Sequence, residues 1–72
     1  MNTKHLTRRA KRALKAVRAY PTYDKYDIQT SIVDLIADIL HLAGEHGFSG
    51  TTILRMAAFH YAAETKEHHG TI

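Results

Sequence analysis

An all-α fold of three helices is what this sequence predicts, on three observations. Residues 27–46, DIQTSIVDLIADILHLAGEH, repeat apolar side chains at helical spacing from end to end. Residues 4–20 set aliphatic side chains on one face and cations on the other with the same period. Residues 51–67 are a third, alanine-rich helical segment, entered through the glycine turn GFSG. The expected arrangement is a single domain over 1–72, with a long antiparallel hairpin of the central and third helices and the basic helix packed on one side.

The first helix is expected over 4–20, with Thr3 as its N-cap. Leu6, Ala10, Ala13, Leu14, Val17 and Tyr20 share one face. Pro21 ends it, because proline disfavours a helical residue before it and has no amide to donate. Pro21–Tyr26, PTYDKY, is a short polar and aromatic linker. Tyr20, Tyr23 and Tyr26 there suit either of two roles: stacking on unpaired bases, or fastening the loop to a core with the hydroxyl left wet.

Asp27 is the expected N-cap of the central helix and Gly47 its left-handed C-terminal residue. At ~100° per residue, Ile28, Ile32, Val33, Leu35, Ile36, Ile39, Leu40, Leu42 and Ala43 spread over about half the circumference. That is wider than the stripe of an ordinary surface helix, so neighbours on two flanks are required. Ser49 or Thr51 caps the third helix, and Phe48 is placed to plug the end of the hairpin. Ile53, Leu54, Ala57, Ala58 and Tyr61 form the strip expected against the central helix, with HHGTI a frayed tail. Met56, Phe59 and Ala63 then point elsewhere, as a partner surface.

A chain of 72 residues buries only about 60% of its extended surface, so it is marginal without a metal, a disulfide or a partner. With no cysteine, disulfides and thiolate zinc sites are excluded. A homodimer is expected, because the central helix shows more apolar surface than one partner helix covers and Met56 and Phe59 are left over. No apolar run approaches the ~20 residues of a membrane span, and the N-terminus lacks the apolar core of a signal peptide. The default placement is cytoplasmic, with no membrane partner.

The net charge of +3 conceals an asymmetry. Residues 1–20 carry seven Lys and Arg and no acid, hence +7, while residues 21–72 carry three bases and seven acids, hence −4. Lys4, Arg8, Arg9, Lys11, Arg12, Lys15 and Arg18 are thus candidates for binding nucleic acid or an acidic protein surface. No zinc-finger, RRM or KH signature accompanies them. A helix-turn-helix reading places Ala43, Gly47, Phe48, Ile53 and Met56 at the motif's packing positions, and offers Ser49, Thr51, Thr52 and Arg55 to a major groove. The long preceding helix with an acidic outer face argues against it.

Asp34, Asp38, His41 and Glu45 line the polar side of the central helix, and His60 and Glu64 form a second pair on the third. Facing helices build metal sites from such rows, so a metal-binding hairpin is a further alternative. The row lies opposite the apolar arc, however, and no metal or other cofactor is expected. No phosphate loop, catalytic Ser/His/Asp order or cysteine nucleophile is present. A short helical hairpin also lacks the concave pocket that a small-molecule substrate needs, so the chain does not read as an enzyme.

The block SIVDLIADILHLAGEHGFSGTTILRMAAFHYAAE resembles short bacterial proteins of plasmids, prophages and similar mobile elements. Their pattern is D-L-x-A-D-x-x-H, a glycine turn, then L-R-x-A-x-x-H-[YF]-x-x-E. Here it falls on Asp34, Leu35, Ala37, Asp38, His41, Gly47, Leu54, Arg55, Ala57, His60, Tyr61 and Glu64. It spans roughly residues 31–64 and leaves the basic helix outside. The resemblance implies a mobile-element accessory protein and assigns no activity. It singles out Asp38, His41, Arg55, His60 and Glu64, of which Arg55 or His60 is suited to meet the acidic row across the hairpin or across a dimer. The leading expectation is a small interaction or regulatory protein acting through its basic helix. The alternative is a protein-binding regulator or inhibitor of a host system acting through the Met56/Phe59 face.

Overall fold

The computed structural model describes residues 5–68. All regular structure among them is helical: α1 spans Arg8–Ala19, α2 Ile28–Glu45 and α3 Gly50–His68. The chain divides within α2 into two compact units, one ending at Asp38 and the other starting at Ile39. No helix is long and apolar enough to cross a membrane among the described residues.

Each helix starts with the same local chemistry. The Thr7 hydroxyl accepts from the Ala10 amide at 3.1 Å, an Asp27 carboxylate oxygen from Thr30 at 3.1 Å, and the Ser49 hydroxyl from Thr52 at 3.2 Å. In each case a side-chain oxygen satisfies an amide that the first turn leaves without a partner. Asp27 is the cap expected, and of the two candidates for α3, Ser49 and Thr51, it is Ser49 that caps. For α1 the cap is Thr7 rather than Thr3, so the helix begins four residues later than the periodicity indicates. Leu6 is half-buried although it precedes the helix. Thr3, Lys4 and residues 69–72 of the tail lie outside the described residues.

In the first unit, α1 ends before Pro21, with the Tyr20 amide bonded to the Val17 carbonyl at 3.1 Å. Leu6, Ala10, Leu14 and Tyr20 are half-buried and Val17 is buried, whereas Ala13 is exposed. The linker is tied to α2 by Ser31, only 2% exposed. Its hydroxyl accepts from the Asp24 amide at 2.8 Å and donates toward the Asp27 carbonyl at 3.0 Å. A Tyr26 amide bond to the Asp24 carboxylate at 2.9 Å completes the turn.

In the second unit, α2 ends in a Schellman motif. The Phe48 amide reaches back to the Ala43 carbonyl at 2.9 Å and the Gly47 amide to Gly44 at 3.0 Å, the paired bonds that define this stop. Gly47 takes φ +80°, where a Cβ would crowd the backbone. Gly44 lies inside the helix, and a Cβ there meets nothing within 4 Å. Opposite outcomes follow. Gly47→Ala lowers stability by about 1 kcal/mol, whereas Gly44→Ala raises it by up to about 1 kcal/mol by restricting the unfolded chain. Urea melts of the two variants check both signs.

Neither unit has a developed core. Val17 and Ala43 are the buried apolar residues among those described, and no large side chain is fully enclosed. Ile32, Val33 and Ile36 remain exposed in the first unit, and Ile39 and Leu42 in the second. On α3, Ile53 is half-buried, but every residue from Leu54 through Ala63 is exposed. The strip of Leu54, Ala57, Ala58 and Tyr61 expected against the central helix is therefore open. Phe48 does not plug the turn either. It stays exposed and stacks on His46, with ring centres 6.3 Å apart.

Candidate nucleic-acid interface

The sequence of α1, RRAKRALKAVRA, contains six cations and no acid in 12 residues. At ~100° per residue they cover about half the circumference, opposite Ala10, Leu14 and Val17. Burial follows that division: Arg8, Arg9, Lys11, Arg12, Lys15 and Arg18 are all exposed, while Leu14 is half-buried and Val17 buried. Lys11, Lys15 and Arg18 border a shallow hollow with Leu14 in its lining. Twelve residues at 1.5 Å each make a helix of about 18 Å, or one cation per about 3 Å. A nucleic-acid strand carries one phosphate per about 3.4 Å. The two linear charge densities agree.

The tyrosines beside this helix divide between roles. Tyr20 donates its hydroxyl to an Asp38 carboxylate oxygen across eighteen positions of chain, so it fastens α1 to α2. Tyr23 is half-buried, its amide bonded to the Tyr20 carbonyl at 3.0 Å. Tyr26 is 85% exposed, with the Lys25 ammonium 5.1 Å from its ring centre. Of the three, Tyr26 has the most exposed ring, with the Lys25 ammonium over one face.

The bond to Asp38, with some desolvation and the carboxylate's charge, raises the Tyr20 phenol above its ordinary value. A raised acid contributes its stability below the unfolded pKa, near 10, and loses it as pH rises through the folded value. Wild type is therefore expected to be more stable than Tyr20→Phe at pH 8, and that advantage to be smaller at pH 11. Denaturant melts at both pH values read the difference. Asp27 has the opposite sign. The Thr30 amide and hydroxyl hold its carboxyl below the ordinary value, so its cap is present at neutral pH and lost in acid.

No family model, curated protein or solved structure matches this chain.

The polar residues singled out by sequence are distributed over α2 and α3. Asp34 is half-buried, Asp38, His41 and Glu45 are exposed along α2, and Asp38 is taken by Tyr20. On α3, Arg55 and His60 are exposed and Glu64 half-buried. Among the described residues no group of three or more His, Asp or Glu side chains is placed to hold a metal ion. The helix-turn-helix packing is absent too. Ala43 is buried and Gly47 has the turn conformation, but Phe48 and Met56 are exposed where that motif buries them.

Sequence reasoning missed Ser31 and named Asp38 only as part of the polar row, yet both position α1. Ser31 anchors the linker, and Asp38 receives Tyr20. The two are seven apart on α2, hence within ~20° of each other around the helix. That shared flank, at the edge of the apolar arc, was the available signal.

Proposed function

We propose that this chain is a small non-enzymatic interaction module that binds the phosphate backbone of nucleic acid through α1. It acts as a homodimer, with an antiparallel hairpin at the α2–α3 turn. The observation that carries the reading is the array of six exposed cations on an acid-free helix whose other face is turned into the chain. Such an array neutralises phosphates and releases their counterions, a recognition that is strong and indifferent to sequence. An acidic protein surface seldom repeats its charge so evenly, which favours a polyanion. The role is one of those open to a mobile-element accessory protein, beside regulation and interference with a host system.

The test is a salt titration of fluorescence anisotropy with labelled duplex and single-stranded oligonucleotides. The reading expects binding of both at low salt and a steep linear fall of log affinity with log salt. Absence of binding at low salt overturns it. Tyr26→Ala adds a discriminating arm. If its ring stacks on an unpaired base, single-strand affinity falls by about five- to a hundredfold while duplex affinity is unchanged. Equal affinities for wild type and variant would leave backbone contact as the sole mode.

A second reading is favoured by the exposure of Met56 and Phe59, at 56% and 75%. These belong to a surface that contacts protein, as in a regulator or inhibitor of a host system.

A further inference from the structure

Lys11, Leu14, Lys15 and Arg18 border the shallow hollow on α1, which has a volume of about 310 Å³. Their spacing of i, i+3, i+4 and i+7 is the one that frames a hole on a helix surface, where a group from outside can seat. Three of the four are exposed cations, and Leu14 is half-buried. The lining is nevertheless mainly apolar. Long basic side chains lay their methylene stems along a surface and hold the charge at its rim. A bare phosphate is met by the charged ends alone and gains nothing from such a floor. The occupant that suits the hollow has an apolar face with anions beside it.

We infer that the hollow seats the face of one unpaired base of a single-stranded nucleic acid on Leu14, with the adjoining phosphates held by Lys11, Lys15 and Arg18. An unpaired nucleotide combines the two features, a flat π-face and a phosphate on either side. In a duplex the bases are stacked on one another and only their edges open into the grooves, so a single strand alone can offer that face. Lys11 and Arg18 are seven positions apart, about 10 Å along the axis. A strand crossing the hollow therefore meets cations both ahead of and behind the seated base. No acid lies in α1 to repel it. The inference rests on the phosphate binding proposed above for the same helix, and adds to it a preference for single strands. The contact at Leu14 is additional to any that the Tyr26 ring makes.

Anisotropy and methyl carbon–proton spectra of the full chain at one low salt concentration test it. The ligands are a short thymidine oligonucleotide, an abasic strand of the same length, and the duplex of the first with its complement. Wild type is expected to bind the thymidine strand at least about threefold more tightly than the abasic strand, whose charge is the same. The Leu14 methyl resonances are expected to move with the thymidine strand and far less with the other two. Leu14→Asn brings the thymidine strand down to the affinity of the abasic one, with circular dichroism as the check on folding. Tyr26→Ala keeps a preference for the thymidine strand. Equal affinity of wild type for the thymidine and abasic strands overturns the inference and leaves phosphate binding standing. So does a preference that disappears in Tyr26→Ala while the Leu14 methyls stay unmoved, which places the base at the tyrosine. Failure of every strand to bind overturns both, whether or not an acidic peptide binds in their stead.

Discussion

Replacing Arg8, Arg12 and Lys15 together by alanine is expected to remove most nucleic-acid binding and to flatten its salt dependence. These three lie within ~60° of one another around α1, so a backbone running along the helix meets all of them. Each phosphate neutralised contributes about −0.9 to the slope of log affinity against log salt. Loss of three contacts makes the slope shallower by about 2.7 and weakens binding about equally for all sequences. The three side chains are exposed, so their truncation leaves the folded chain nearly unchanged and a thermal melt serves as the control. A slope equal to that of wild type would mean that the cations of α1 are not the contact surface.

Ser31→Ala is expected to be the most damaging single truncation to stability. Its hydroxyl is the buried polar group that joins linker and helix. It accepts from the Asp24 amide, and its single proton is shared between the carbonyls of Asp27 at 3.0 Å and Asp24 at 3.3 Å. Without it the partly buried Asp24 amide has no acceptor, a cost of about 1–3 kcal/mol. In a domain this small each kcal/mol moves the melting temperature by about 4–8 °C. The variant should therefore melt at least about 4 °C below wild type, by circular dichroism. Ser31→Thr, which keeps the hydroxyl, should recover part of the loss. Equal melting of Ser31→Ala and wild type would contradict the assignment.

The parts of this fold that a reader of the sequence can find are those governed by neighbours along the chain. Asp27 and Ser49 as caps, Pro21 as a stop and Gly47 as a left-handed residue all depend on chemistry within four residues. The same holds for the division of α1 into charged and apolar faces. Thr7 and Thr3 are equivalent by that standard, and only the structure shows that the first turn closes on Ala10. Long-range pairs are hidden. Nothing local marks Tyr20 as the partner of Asp38, or Ser31 as the anchor of a linker seven residues earlier. The apolar strip of α3 was misplaced for the related reason that periodicity gives a face without its partner. Of the site itself, the cations of α1 were legible because no acid interrupts them. The standing of Tyr26 as the most exposed ring of the three was not, because it depends on what Tyr20 and Tyr23 touch.

The most direct measurement is a nitrogen–proton correlation spectrum of the labelled chain titrated with a short oligonucleotide at low salt. The account predicts that the amide shifts concentrate in Arg8–Ala19 and the adjoining linker, with Glu45 and the exposed face of α3 unmoved by the ligand. Shifts centred on Asp34–Glu45 or on Leu54–Ala63, or none anywhere, would contradict it.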